Sequence, residues 1–116
     1  MELDNAILSH HVWKDRLRQA IASQSALDAA TMARDDCCEI GQWLHGQSSL
    51  RFRDTPEFSA LLGRHRLFHV EAGRVAETIN ARQFVEARQM MQGGTAFASA
   101  SLAVGLALKA MQNLAR

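Results

Sequence analysis

Residues 55–80 read TPEFSALLGRHRLFHVEAGRVAETIN, and they decide the fold because a helix start signal precedes a long apolar stripe. Asp54 or Thr55 is the expected N-cap, Pro56 the first helical residue, and Glu57 an acid in the first turn. Apolar side chains then recur at three-to-four spacing: Phe58, Leu61, Leu62, Phe68, Ala72, Val75 and Ile79. The pattern predicts one long amphipathic helix that ends near residue 80.

Two histidines, His65 and His69, occupy the apolar stripe of this helix. Four residues turn through about 400°, so the two imidazoles project from one face about 6 Å apart. This HxxxH spacing suits two ligands of one metal ion. Paired core histidines that bond to carbonyls or carboxylates would produce the same pattern, so the spacing alone leaves both interpretations open.

The rest of the chain also favours helices, because strand signals are nearly absent. A first helix is expected over about Glu2–Ser23, and a short helix from near Cys38 to Gly46. A final long helix is expected over roughly Gln83–Leu114. The predicted class is therefore all-α, a four-helix bundle-like domain with three long helices and a short helix that carries a cysteine.

Length and composition bound the class of protein. The 116 residues predict a single domain over residues 1–116, and 47% hydrophobic and 22% charged residues are typical of globular proteins. A formal charge of +1 gives no reason to expect nucleic acid as a partner.

Residues 89–108 carry no formal charge but contain too many polar residues for membrane insertion. Without a visible secretory signal, the expected location is the cytoplasm.

The last helix predicts a homodimer. Gly94, Ala98, Ser101 and Gly105 form a ridge of small residues, and large apolar residues surround the rest of the cylinder. A helix with little polar surface is usually buried on more than one side. In a domain this small, a second copy of the chain is expected to cover the outer side.

A tetrahedral donor set can be assembled from the inward-facing residues. Cys37 and Cys38 are adjacent, a poor geometry for a disulfide, so both thiols are expected to be free. His10 lies on the apolar stripe of the first helix, where a lone histidine is more often a satisfied core residue. Combined with His65, His69 and Cys38, it completes three nitrogens and one thiolate, a set suited to Zn²⁺.

Three motifs carry a resemblance to a known family. They are HHVW at His10–Trp13, CEIGQW at Cys38–Trp43 and HRLFH at His65–His69. Together with the run RDDCCEIGQWLHG, they resemble the chemoreceptor zinc-binding domain family over essentially the whole chain. The resemblance implies four zinc ligands: His10, Cys38, His65 and His69. Cys37 is not demanded by the family pattern.

Residues near this set have two possible uses each. Trp13 and Trp43 would cover the metal site, although plain core packing explains either equally well. Asp35 and Asp36 could accept hydrogen bonds from ligand histidines, but a surface or N-cap position suits at least one of them.

The resemblance also implies a function. Family members are cytoplasmic input modules of bacterial chemotaxis receptors and diguanylate cyclases, in cis or in trans, and respond to zinc or, through the cysteine, to oxidants such as hypochlorous acid. Four protein ligands leave no open position on the metal, and Arg66 stands where HExxH has its glutamate, so no enzyme is expected. The alternatives are a purely structural zinc-stabilised dimerisation module and an iron- or haem-binding bundle.

Overall fold

The computed structural model describes residues 3–115 without the side chain of Asp4, and every regular element in that range is a helix. Two 3-10 turns at Leu3–Asn5 and Gln47–Phe52 accompany six α-helices: α1 (Ala6–Ser23), α2 (Ala29–Met32), α3 (Glu39–His45), α4 (Pro56–Asn80), α5 (Phe84–Met90) and α6 (Ala96–Ala115). The predicted all-α bundle with three long helices and a short helix after Cys38 is confirmed. The expected start of the first helix at Glu2 lies outside the described residues.

The helix α4 begins where the sequence predicts. The side chain of Thr55 accepts a hydrogen bond from the backbone N–H of Phe58, and Pro56 occupies the first turn, where it has no N–H to leave unpaired. The helix then runs for 25 residues to Asn80. Its apolar stripe is buried, as expected from the spacing of its side chains, except that Leu62 is only half-buried.

The predicted single helix over Gln83–Leu114 is wrong, because the chain breaks between α5 and α6. Gly94 adopts a positive φ of 85°, which a right-handed helix does not allow. The side chain of Thr95 then accepts a hydrogen bond from the N–H of Ala98 and starts α6 as an N-cap. In the described part of the chain, no helix has the length and apolar character needed to cross a membrane.

The core forms around α4, which packs most extensively against α6 and also contacts α1, α2 and α5. Phe68 on α4 lies against Phe97 on α6, with ring centroids 5.5 Å apart. Buried side chains from both helices belong to one core, among them Phe58, Leu61, Val75, Ile79, Val104, Leu108 and Met111. The histidine-bearing face of α4 therefore points into the core, and the other elements must meet it there.

The segment that leads from α1 to α2 is fastened to the far end of α4. The side-chain amide of Asn80 donates to the carbonyl of Leu27 and accepts from its N–H, at 2.7 and 2.8 Å. Arg82 donates to the carbonyl of Gln24, where α1 ends in a left-handed residue. These contacts hold α2 alongside α4, next to the histidine pair.

Candidate metal centre

The helix α4 places His65 and His69 one above the other on its buried face. Both side chains are 1% exposed, and their Nε2 atoms lie 3.1 Å apart. The spacing of four residues brings the rings together, with centroids 4.5 Å apart. The two imidazoles therefore aim their Nε2 atoms at one point in the core.

Cys38 meets this histidine pair from the start of α3. It is the extended N-cap residue of that helix, and its sulfur accepts a hydrogen bond from the backbone N–H of Gly41. The same Sγ lies 3.1 Å from Nε2 of His65 and 3.4 Å from Nε2 of His69. Cys38, and not the adjacent Cys37, therefore lies with the histidines; the thiol of Cys37 donates to Asp36 instead.

The three donor atoms have the spacing of three corners of a zinc tetrahedron. Zn–N bonds of about 2.0–2.1 Å and a Zn–S bond of about 2.3 Å separate ligand atoms by about 3.3 Å for two nitrogens and about 3.6 Å for nitrogen and sulfur. The observed separations of 3.1, 3.1 and 3.4 Å fall within a few tenths of an ångström of these values. In the described residues, Cys38, His65 and His69 are the group whose donor atoms could hold one metal ion.

A backbone carbonyl fixes the tautomer of His69. Its Nδ1 lies 2.9 Å from the carbonyl oxygen of Met32 on α2, and a carbonyl oxygen can only accept. Nδ1 therefore carries the proton, and Nε2 presents its lone pair to Cys38 and His65. A hydrogen bond of this kind is the usual way in which proteins orient a histidine for metal binding.

The protonation states also suit a metal cation. Burial lowers the pKa of His65 to about 3, with the neighbouring His69 adding to the effect, and burial lowers the pKa of His69 as well. Both imidazoles are therefore neutral at pH 7, as a metal requires. Burial raises the pKa of the Cys38 thiol, so its thiolate needs a cation beside it. The donor set fits Zn²⁺ on these grounds.

One polar atom of the cluster lacks a hydrogen-bond partner within residues 3–115. Nδ1 of His65 is buried and, among the described residues, makes no hydrogen bond. A buried imidazole nitrogen without a partner is costly, typically by about 1–3 kcal/mol. The bonds to a metal at Nε2 would offset this cost, which makes the residue easier to explain as a ligand than as a satisfied core histidine.

His10 lies nearby on α1 but does not join the other three donors. It is 4% exposed and packs against Phe68, with ring centroids 4.3 Å apart and the ring planes tilted by 54°. Its Nε2 is 2.9 Å from the hydroxyl of Ser101 on α6. No nitrogen of His10 belongs to the group formed by the other three side chains. The neighbouring His11 is exposed, because it is turned by about 100° from His10 around the helix.

Asp35 ties the loop before Cys38 to two helices. Its carboxylate lies 3.3 Å from Nε2 of His45 on α3 and 3.5 Å from Nε of Arg66 on α4. Burial opposes its ionisation, yet His45 and Arg66 together bring the pKa of Asp35 below its usual value. Asp35 therefore supports the cysteine loop without contacting a ligand imidazole, and Asp36 pairs with Arg34 at the surface.

Of the two tryptophans, one covers the metal site and the other packs in the core. Trp13 meets His69 edge-on, with ring centroids 5.1 Å apart, and thus covers one side of the cluster. Trp43 instead packs beside Phe52 and Phe58, so it belongs to the apolar core around α3. The partners that sequence reasoning missed are the carbonyl of Met32 and the hydroxyl of Ser101, since neither belongs to a recognisable ligand motif.

The comparison with protein families agrees with this site. The chemoreceptor zinc-binding domain model matches residues 10–76, a segment that contains His10, Cys38, His65 and His69. No curated protein and no solved structure matches the chain. The matched segment covers more than half of the 116 residues, and its cysteine and histidine pair lie together in the core. The chain therefore belongs to the family of chemoreceptor zinc-binding domains.

Proposed function

We propose that this chain is a regulatory domain of bacterial signalling that binds one Zn²⁺ through His10, Cys38, His65 and His69. The observation that carries the proposal is the buried group of three donors at tetrahedral spacing. His10 is the proposed fourth ligand because it is buried beside the group and its pKa is lowered to about 4, chiefly by burial, so that it is neutral at pH 7. Residues 1–116 are proposed to act as one domain.

The proposed chemistry is coordination and not catalysis. Three imidazoles and one thiolate complete a tetrahedron, which leaves no position for a substrate or a reactive water. The second residue of the HxxxH pair is Arg66, whose guanidinium stays protonated and cannot serve as a general base. We therefore propose that the domain transmits a signal and is not an enzyme.

The sensing step is proposed to act on the segment around Cys38. This residue links α3 to α4 through the cluster, while Met32 links α2 to it through His69. Zinc bound at this junction stabilises one arrangement of the helices, because the free energy of binding is coupled to their packing. Hypochlorous acid would oxidise the Cys38 thiolate to sulfenic acid with release of chloride, which weakens the bond between sulfur and zinc.

The output is proposed to pass through a homodimer. The last helix, α6, exposes Leu102 and Leu106, four residues apart on one side. A second copy of the chain that covers this stripe would bring two metal centres into one assembly. The domain would then act in the cytoplasm on a chemotaxis receptor or a diguanylate cyclase, in cis or in trans.

The burial of the three donors, of which Cys38 is 4% exposed, favours a second candidate, a purely structural zinc-stabilised dimerisation module. Such a module would keep its metal throughout the life of the protein. Zinc exchange with a chelating dye distinguishes the two functions: release within minutes of stoichiometric hypochlorous acid supports sensing, and retention supports the structural role.

Elemental analysis of the purified protein tests the proposed ligand set. We expect one zinc per chain in the wild type and little zinc in Cys38→Ala and His65→Ala, because each removes a corner of the tetrahedron. His10→Ala is expected to bind zinc at least tenfold more weakly, with water in the fourth position. The exposed His11→Gln is the matched control and should keep its zinc. Full zinc in Cys38→Ala or His65→Ala would contradict the proposal.

A further inference from the structure

A hydrogen bond across the bundle engages the proposed fourth ligand. Nε2 of His10 on α1 and Oγ of Ser101 on α6 lie 2.9 Å apart, and both side chains are buried. The two residues line a cleft of about 280 Å³ between α1 and α6. Ser101 lies outside the segment that the family model matches, which ends at residue 76.

This bond withholds Nε2 of His10 from a metal in either tautomer. If Nε2 is protonated, its hydrogen is donated to Ser101; if it is not, its lone pair accepts the hydroxyl hydrogen. Nδ1 does not take its place, since no nitrogen of His10 belongs to the group of three donors. His10 can therefore complete the tetrahedron through Nε2 only if its imidazole moves away from Ser101.

We infer that Ser101 competes with the metal for His10, so that zinc binding breaks the contact between α1 and α6. This inference rests on the proposed role of His10 as the fourth ligand. One imidazole has two mutually exclusive partners, a metal bound by α3 and α4 or a hydroxyl on α6. Such an arrangement couples the metal site to α6, because any change that favours the bond of His10 to one partner disfavours its bond to the other.

Ser101 lies next to exposed residues of α6, so a change of partner at His10 can affect the surface of this helix. The next residue, Leu102, is 67% exposed and also lines the cleft, together with Leu106 one turn later. Few other contacts join α1 to α6, since α6 packs mainly on α4. Loss of the bond between His10 and Ser101 would therefore loosen the α1 side of α6, the helix proposed to form the dimer.

Zinc affinity of Ser101→Ala, measured by competition with a chelating dye, tests the inference. We expect affinity to rise by about two- to tenfold, because the variant loses a hydrogen bond that stabilises only the zinc-free arrangement. Ser99→Ala, an exposed serine on the same helix, is the matched control and should bind zinc like the wild type. In a His10→Ala background, Ser101→Ala should leave zinc affinity unchanged, as the competition no longer exists.

Hydrogen exchange gives a readout that does not depend on affinity. Adding zinc to the wild type should speed amide exchange in α6 around residues 97–105, and Ser101→Ala should show that faster exchange before zinc is added. Unchanged or weaker zinc binding by Ser101→Ala would overturn the competition, whether or not His10 is a ligand. If His10→Ala binds zinc like the wild type, the proposed fourth ligand fails, and the inference fails with it.

Discussion

At the scale of single residues, the cluster of Cys38, His65 and His69 is explained best as a set of metal ligands. Two neutral imidazoles and a thiol lie in mutual contact in the core, with no carboxylate among them to balance a charge. Nδ1 of His69 donates its proton to the carbonyl of Met32, whereas Nδ1 of His65 has no hydrogen-bond partner in the part of the chain that the structure describes. A core histidine pair kept for packing would normally satisfy both rings. The arrangement suits donors to a metal cation.

The same residues predict how the stability of the zinc-free protein depends on pH. The pKa of His10 is lowered to about 4 and that of His65 to about 3, so the unfolded chain binds more protons below its usual value of 6.5. The contribution of these histidines to the free energy of unfolding is therefore fully present above about pH 6.5 and is lost as the pH falls. For each histidine we expect the free energy of unfolding to drop by about 1.4 kcal/mol per pH unit below 6.5.

Urea unfolding of chelator-treated protein at pH 7.5 and pH 5.5 measures this dependence. His65→Gln should lose between about a third and a half of the difference between the two pH values, because it removes one of three buried histidines with lowered pKa values, the others being His10 and His69. The exposed His11→Gln should retain all of it. An equal loss of stability in wild type and His65→Gln would show that the acid sensitivity arises elsewhere.

The sequence predicts the donor residues of this cluster but not the groups that hydrogen-bond to its histidines. The spacing of His65 and His69 is enough, by itself, to place them on one face of α4. The carbonyl of Met32 and the hydroxyl of Ser101 are brought to the histidines by tertiary packing over 37 and 91 residues of sequence. No local pattern encodes such contacts, because every residue has a carbonyl and serines are common in helices.

At the scale of elements, the position of Cys38 depends on how α3 approaches the preceding loop. A Cβ on Gly41 would overlap the backbone carbonyl oxygen of Asp35 and lie 3.0 Å from Cα of Asp36. Both of these atoms belong to the backbone, so they cannot be relieved by a change of side-chain rotamer. Asp35 is itself fixed by His45 and Arg66. The absence of a side chain at Gly41 thus lets the loop fold back over α3 and holds the sulfur in the core.

Gly41→Ala is accordingly expected to damage the metal site. Displacement of the loop should lower zinc affinity by about tenfold or more and the free energy of unfolding by about 1–3 kcal/mol. Calorimetric zinc titration and urea unfolding measure the two effects. Gly63→Ala is the matched control: its Cβ would meet nothing within 4 Å in the middle of α4, so stability should rise by about 1 kcal/mol with unchanged zinc affinity. Equal behaviour of the two variants would contradict the role of Gly41.

The elements themselves were largely predictable, and the exception has a physical cause. The start of α4 and the short helix α3 follow from caps and from apolar spacing. The break between α5 and α6 was missed because the apolar periodicity continues across it. The pair Gly93–Gly94 followed by Thr95 was a usable signal, since a positive φ at Gly94 and an N-cap at Thr95 end one helix and begin the next.

At the scale of the whole molecule, α6 carries an apolar stripe that the described residues do not cover. Leu102 and Leu106 are 67% and 62% exposed and lie one turn apart. If a second copy of the chain covers them, Leu102→Glu and Leu106→Glu should each give a monomer in sedimentation, because a buried carboxylate in an apolar interface is strongly disfavoured.

Val85→Glu on α5 is the control for this prediction, since Val85 is equally exposed at 64% but lies on another helix. It should keep the oligomeric state of the wild type. A wild-type monomer at high micromolar concentration would remove the dimer, and dimers in both leucine variants would move the interface away from α6.

The packing of α6 on α4 also limits how the protein can be divided. The segment that ends at residue 76 contains every side chain of the three-donor cluster. It lacks Phe97, Val104 and Leu108, which form the opposite wall of the core. A fragment cut there would expose the apolar stripe of α4 to water and lose the contact between Phe97 and Phe68. The ligands are thus encoded early in the chain, while one wall of the core that buries their helix is supplied by the 20 residues of α6.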